Sequence, residues 1–202
     1  MSTPGAPPGR DAAWVTLETT LDPARLAAFH RDLEGIYRIN PFLEFALWEQ
    51  SAPDRFRAEV LNHSNGQRSV MAASVTRTSD CALRVNYQEG LKKSTRFDIQ
   101  PTPSGSRLTI TDEYNLTGAG TQDAEIDRSL HAWGVALKTY LERDRRWGWI
   151  PPYRWCMRRV WLPLKPAARR ITFLILVIGL ADIVLIALGL AIYWIESGRW
   201  AP

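Results

Sequence analysis

The sequence has few of the residues on which catalytic and metal sites usually depend. It contains two cysteines, Cys81 and Cys156, and three histidines, His30, His63 and His131, in 202 residues. The histidines lie on three different predicted elements without metal-ligand spacing, and neither cysteine has a matching histidine. GxSxG, P-loop and GxGxxG motifs are also missing. These absences favour a protein without a metal or cofactor and without a familiar catalytic motif.

The sequence also lacks the features of an exported, disulfide-bonded protein. Its first thirteen residues, MSTPGAPPGRDAA, are small and rich in proline, and they contain no apolar core of a signal peptide. We predict that residues 1–13 are disordered. Two cysteines far apart in the sequence cannot form a disulfide framework, which fits a reducing compartment.

Long apolar runs are absent until residues 171–195, ITFLILVIGLADIVLIALGLAIYWI. As a helix, this segment would be about 37 Å long, enough to cross a hydrocarbon core of about 30 Å. One acid, Asp182, costs about 2.5 to 3.5 kcal/mol at the centre of a membrane, which the many Leu, Ile, Val and Phe side chains offset. We expect one transmembrane helix and a short tail, residues 196–202. The alternative is a very hydrophobic core helix.

Positive charge is concentrated directly before this segment, in residues 143–170. Beyond residue 195 the only charged residues are Glu196 and Arg199. The positive-inside rule therefore predicts that the N-terminal domain is cytoplasmic and that the tail crosses the membrane. The basic residues are interleaved with tryptophans, a pattern that favours binding to anionic membrane lipids over nucleic acid. The basic residues are Arg143, Arg145, Arg146, Arg154, Arg158, Arg159, Lys165, Arg169 and Arg170, against one acid, Asp144.

Residues 147–170 form a basic, aromatic juxtamembrane segment. On a helical wheel, its apolar and basic side chains separate onto two faces, as in a helix that lies in the membrane interface. The alternative is a plain linker with anchoring Trp and Arg side chains. The apolar face comprises Tyr153, Cys156, Met157, Val160, Trp161 and Leu164, and the basic face comprises Arg154, Arg158 and Lys165.

Hydrophobic periodicity predicts one domain over residues 14–146. Period-two alternation indicates a strand in WVTLETTL and six more strands after residue 42, separated by turn residues. Asp22 and Pro23 provide an N-cap and a first helical position, and a second short helix ends before Pro41. From about residue 124 to residue 146, apolar side chains recur on one helical face. The fold class is therefore α+β, with an antiparallel sheet and a long C-terminal helix.

This order of elements resembles the helix-grip fold of the START and Bet v 1-like (SRPBCC) superfamily, which includes polyketide cyclase/dehydrase and lipid-transport domains. The segment LDPARLAAFHRDLEG is similar to the helical segment after the first strand of that family. The resemblance implies a curved sheet around the long helix. It also implies a hydrophobic cavity between them for an apolar small-molecule ligand such as a lipid, an isoprenoid or a polyketide.

If the apolar side of each strand faces the helix, ten residues line this cavity; the alternative is that they only form a core. Asp112 has the inward parity between Ile110 and Tyr114, so its carboxyl group would point into an apolar space and orient a polar ligand head. A bulge that turns it outward is the alternative. The ten candidate ligand-binding residues are Phe56, Val85, Tyr87, Phe97, Ile110, Asp112, Tyr114, Leu130, Trp133 and Leu137.

A second candidate surface lies on the transmembrane segment. Gly179, Asp182, Gly189 and Tyr193 follow the three-and-four spacing of one helical face. Small residues let two helices approach closely, and a buried acid gains a hydrogen-bonding partner there. The face predicts packing against a second copy or another membrane protein. The alternative is that the helix is only an anchor.

Three functions remain open on these patterns. The first is a membrane-anchored binding protein for a hydrophobic ligand, acting in lipid transfer or sensing. The second is a cyclase or hydrolase that acts in the same cavity, since some members of the resembled superfamily catalyse reactions with few polar residues. The third is an accessory subunit that works through its transmembrane helix. Because no catalytic motif is present, the sequence favours binding over catalysis.

Overall fold

The computed structural model of the chain describes residues 12–115 and 122–198. It consists of two compact units, residues 1–163 and residues 164–202. Residues 1–11 of the segment predicted to be disordered and residues 199–202 of the predicted tail lie outside the described residues. Ala12 and Ala13 already belong to the first strand.

The first unit contains a seven-stranded antiparallel sheet and four helices. The strands follow the order β1-β7-β6-β5-β4-β3-β2 across the sheet, so the first and last strands pair and the others form a meander. This architecture confirms the predicted α+β helix-grip fold. The elements are β1 Ala12–Thr19, α1 Pro23–His30, α2 Leu33–Ile39, β2 Leu43–Ala52, β3 Arg55–Asn62, β4 Gln67–Ser79, β5 Ala82–Tyr87, β6 Lys92–Thr102, β7 Gly105–Tyr114, α3 Gln122–Trp147 and α4 Pro151–Cys156.

Local side-chain contacts start the two short helices. The Asp22 carboxylate accepts a hydrogen bond from the backbone N–H of Arg25 at 2.9 Å, and Pro23 takes the first helical position. The Asp32 carboxylate caps α2 in the same way, through the N–H of Gly35 at 3.0 Å. A side chain at Gly35 would lie 2.7 Å from the Asp32 carboxylate, so the cap itself requires glycine there.

The core lies between the inner face of the sheet and α3. Leu130, Trp133, Leu137 and Leu141 recur on one face of α3, and each is at most 3% exposed. The helix lies close to β1 at Gly134, where an added Cβ would lie 2.6 Å from a methyl group of Val15. The apolar stripe predicted for this helix therefore faces the sheet.

The segment after α3 differs from the single amphipathic helix expected there. A π-helical turn, Met157–Trp161, follows α4, and the N–H of Leu162 donates to the carbonyl of Met157 at 2.9 Å. Such a turn contains one residue more than an α-helical turn, which rotates the following residues by about 100°. Leu162, which follows the turn, is buried, whereas Cys156 and Val160, both placed on the predicted apolar face, are exposed.

The second unit contains one helix, α5, Pro166–Gly198. It includes the whole predicted span and begins at Pro166. Its large apolar side chains between residues 171 and 195 are 49–79% exposed. By length and composition, α5 could cross a membrane.

Candidate functional site

The most unusual polar group in the core is the carboxylate of Asp112. Its residue is 1% exposed, on the inner face of β7 between Ala13 of β1 and Thr95 of β6. The ladder is regular at this position, so the inward parity of Asp112 holds and no bulge turns it to solvent. A buried carboxylate needs hydrogen-bonding or charged partners.

Three side chains donate hydrogen bonds to this carboxylate. Lys92 Nζ donates to Oδ2 at 2.6 Å, the Tyr114 hydroxyl donates to Oδ2 at 3.2 Å, and the Thr95 hydroxyl donates to Oδ1 at 2.5 Å. An ionised carboxylate only accepts hydrogen bonds, so all three donors suit it. The Lys92 side chain is 31% exposed, whereas that of Asp112 is 2% exposed. The ion pair therefore connects the interior to the solvent.

A chain of hydroxyl groups extends from this ion pair into the core. Thr95 donates its single hydroxyl proton to Asp112, so at 2.8 Å it must accept from the Tyr87 hydroxyl. Tyr87 in turn accepts from Tyr37 at 2.5 Å. Burial raises the pKa of both tyrosines well above its usual value. The phenols therefore stay protonated, and every hydrogen bond in the chain points toward Asp112.

Aromatic rings surround the other side of the Lys92 ammonium group. Its Nζ lies 5.9 Å from the ring centroids of Tyr87, Tyr114 and Trp133, within range of cation–π attraction. Trp133 is held in place because its indole N–H donates to the carbonyl of Ile36 at 3.1 Å. One carboxylate and three rings thus fix the position of one cation, with apolar surface beside it.

The structure brings together four of the ten candidate residues, Tyr87, Asp112, Tyr114 and Trp133, around Lys92. Phe56 lies apart from the ion pair and stacks on Trp48, with ring centroids 4.4 Å apart. The remaining candidates are buried in the core: Val85, Phe97, Ile110, Leu130 and Leu137.

Sequence reasoning did not identify Lys92, Thr95 and Tyr37 as members of the site. Strand parity could have identified Thr95, because it shares the inward parity of Phe97. It could not have identified Lys92, since Lys92 lies three positions from Thr95 and so has the opposite parity. A register shift between Lys92 and Ser94 adds one residue to β6 and brings Lys92 to the inner face.

Aromatic side chains occupy the space in which the family resemblance implies a cavity. Tyr37, Phe97 and Trp133 are each at most 1% exposed, and Trp133 contacts both other rings at centroid distances of 5.4 and 5.9 Å. A small pocket of about 100 Å³ opens elsewhere, beside α2 and β2–β4, and of the ten candidates only Phe56 lines it. Among the described residues, no cluster of His, Cys, Asp and Glu could hold a metal ion.

A second unusual polar group is His30 at the end of α1. It is 4% exposed, its ring lies edge-on to Phe97 at 5.6 Å, and its Nε2 has no hydrogen-bond partner among the residues that the structure describes. Burial, with a smaller contribution from the positive charge of Arg77, lowers the pKa of His30 from 6.5 to about 4. His30 is therefore neutral near pH 7.

This shift predicts that the protein loses stability when the pH falls from 7 to 5. The unfolded chain binds a proton at His30 near pH 6.5, but the folded chain binds it only near pH 4. The stability due to neutral His30 is therefore complete above pH 6.5 and is lost between these two values. The loss between pH 7 and 5 is roughly 2 kcal/mol. In urea denaturation, the free energy of unfolding of His30→Leu should fall by about 2 kcal/mol less between pH 7 and pH 5 than that of the unmodified protein. An equal fall in both proteins would contradict a neutral, buried His30.

Comparison with known proteins relates the chain to others by fold. No family model matches it, and no curated protein matches it. A START superfamily protein from Mycobacterium smegmatis is similar over 65% of this chain and 97% of its own, with 20% identity and a TM-score of 0.54.

Two aromatase/cyclases are also similar in structure. Zhui from Streptomyces sp. R1128 covers 66% of this chain and 94% of its own, at 13% identity and a TM-score of 0.53. The di-domain ARO/CYC StfQ from the steffimycin biosynthetic pathway covers 67% of this chain and 52% of its own, at 11% identity and a TM-score of 0.51. At these identities the likeness shows that the chain has the helix-grip fold of START superfamily proteins.

Proposed function

We propose that this chain, a helix-grip domain followed by α5, is a membrane-anchored binding protein for an apolar ligand with one polar end. The observation that carries the proposal is the Lys92–Asp112 ion pair at the edge of an apolar core. Burying charges costs several kcal/mol each, and apolar side chains often stabilise a core equally well. A role in recognition explains why the pair is there.

The polar end of the ligand would bind at Lys92. Its ammonium group has three donors, of which Asp112 uses one, so a hydroxyl, carbonyl or carboxylate oxygen can accept another. The apolar body would lie against the rings of Tyr87, Tyr114 and Trp133 and take the place of part of the aromatic core. A lipid, an isoprenoid or a polyketide-like molecule has this combination of groups.

The direct test is to purify the full chain from its native membranes in mild detergent and to identify bound molecules by native mass spectrometry. Lys92→Met should lower the affinity for the recovered ligand about tenfold, as expected for the loss of one charge-assisted hydrogen bond. Lys93→Met is the matched control, because Lys93 is exposed on the same strand. Equal ligand occupancy in the unmodified chain, Lys92→Met and Lys93→Met would refute the proposal, and so would the recovery of no ligand from any of them.

The similarity to two aromatase/cyclases favours catalysis as the second candidate function. Against it, the Asp112 carboxylate already accepts three hydrogen bonds, one from an ammonium group, so it is placed to hold a structure rather than to remove a proton. If Asp112→Asn keeps the bound molecule but abolishes its conversion, the protein is an enzyme.

The membrane anchor leads to a prediction about orientation. A reporter enzyme fused after Pro202 should be active only outside the cytoplasm, because the arginines before residue 171 outnumber those after residue 195. The same reporter fused before Met1 should be inactive, because that end is expected in the cytoplasm, and it serves as the control. An inactive C-terminal fusion together with an active N-terminal fusion would contradict this orientation.

The helix-packing face of α5 remains a prediction. A Cβ added at Gly179 or Gly189 would meet nothing within 4 Å, so both positions have space for a neighbouring helix. Cross-linking through cysteines at Gly179, Asp182 and Gly189 should exceed that at Val177 and Val184 on the opposite face. Equal cross-linking from both faces would mean that α5 is only an anchor.

A further inference from the structure

The end of α3, α4 and the π-helical turn present an exposed surface of tryptophan and arginine. Three tryptophans on it, Trp147, Trp149 and Trp155, are 46%, 78% and 64% exposed. Arg154, Arg158 and Arg159 of the same segment are also exposed. These six residues form the Trp–Arg surface. A large indole that is mostly exposed in a folded domain often marks an interface.

The segment that carries this surface is packed against the domain on its other side. Leu162 is 5% exposed, and Tyr153, Met157 and Trp161 are half-buried. Burial raises the pKa of Tyr153, to which the nearby carboxylate of Asp144 also contributes. The aromatic side chains of the segment thus form an inner group that packs against the domain, Tyr153 and Trp161, and an outer group that is largely exposed.

The side chains that the structure describes do not neutralise the charge of the Trp–Arg surface. None of its three arginines forms an ion pair with another side chain in the described part of the chain. Arg146 lies 5.6 Å from the ring of Trp147 and adds a further positive charge. Exposed guanidinium groups next to indole rings suit the phosphate and glycerol region of a bilayer that contains anionic lipids.

From these features we infer that the Trp–Arg surface lies on an anionic lipid bilayer, with the indole rings at the level of the headgroups. The inference rests on the proposed membrane anchor. Arg159 lies seven positions before Pro166, where α5 begins, so the two are at most about 25 Å apart along the chain. The surface is therefore within reach of the membrane that α5 would span.

The native Cys156 provides a test, because it is exposed on α4. The full chain with Cys81→Ser is labelled at Cys156 with bimane and reconstituted into nanodiscs of phosphatidylcholine, alone or mixed with equal phosphatidylglycerol. Lipids carrying a nitroxide on the upper acyl chain then report contact by quenching. The control label is Ser104→Cys in a chain with both native cysteines replaced by serine, since Ser104 is exposed in the turn between β6 and β7.

We expect strong quenching at Cys156 in the anionic nanodiscs and none at Ser104→Cys. Replacing Arg154, Arg158 and Arg159 by glutamine should reduce the quenching at least about twofold and remove its dependence on lipid charge. The inference would be overturned by quenching that does not depend on lipid charge. It would also be overturned by a label at Cys156 that is as accessible to water as the label at Ser104→Cys. Shielding of the Cys156 label from water that appears only in native membranes would also overturn it, because it would indicate a protein partner.

The same experiment separates the two proposals. A chain that does not enter nanodiscs has no membrane anchor, and both the anchor and the bilayer contact would then be wrong. A chain that enters but leaves Cys156 in water keeps the anchor and refutes only the bilayer contact.

Discussion

Replacing Trp133 with alanine is expected to lower the free energy of unfolding by about 3 to 5 kcal/mol, the range for a large aromatic residue removed from a core. Trp133 is 1% exposed and contacts the rings of Tyr37 and Phe97. Its loss would leave a cavity between α3 and the sheet. It would also leave the carbonyl of Ile36 without the indole N–H that it accepts, and an unpaired buried acceptor adds its own cost.

The measurement is urea denaturation of the full chain in detergent, followed by near-ultraviolet circular dichroism. Trp155→Ala is the matched control, because Trp155 is 64% exposed and its replacement should change stability by no more than about 0.5 kcal/mol. Equal losses in the two variants would mean that Trp133 does not fill the core as the structure has it.

Asp112→Asn is expected to lower the free energy of unfolding by about 2 to 4 kcal/mol. The carboxylate accepts from Lys92, Thr95 and Tyr114. An asparagine keeps the shape, but its amide nitrogen is a donor and would face at least one of these donors. The result would be an unpaired ammonium or hydroxyl group at the edge of the core.

A double-mutant cycle separates the ion pair from the rest of this loss. Lys92→Met combined with Asp112→Asn should cost less than the sum of the single changes, with a coupling of about 1 to 3 kcal/mol. Lys93→Met, which changes an exposed lysine on the same strand, should show no coupling to Asp112→Asn. Strict additivity of Lys92→Met and Asp112→Asn would contradict the ion pair.

Much of the core could be predicted from strand parity. Phe97, Ile110 and Asp112 point inward because successive side chains of a strand alternate between the two faces, and each is at most 1% exposed. The same rule would place Lys92 on the outer face, since it assumes a strand without a bulge. The bulge at Lys93 depends on how β6 pairs with β7 and leaves no mark in the pattern of apolar residues.

In the segment after α3, prediction from a regular helical period fails in a similar way. The wheel that grouped Tyr153, Cys156 and Val160 on one face assumes 3.6 residues per turn throughout. The π-helical turn, Met157–Trp161, departs from that pitch, and Cys156 and Val160 are exposed although Tyr153 is half-buried. Buried contacts of Leu162 with the domain accompany this change of pitch, and no local pattern predicts such contacts.

The sequence by itself determined the order of the elements, the α+β class and the long apolar helix at residues 171–195. Each of these follows from a local repeat of two or 3.6 residues or from the length of an apolar run. Only the tertiary structure decided that Lys92 meets Asp112, 20 residues away, and that Tyr37 joins Tyr87 across 50 residues. Contacts at such separations depend on strand register and on helix packing against the sheet, which are set by the whole core at once.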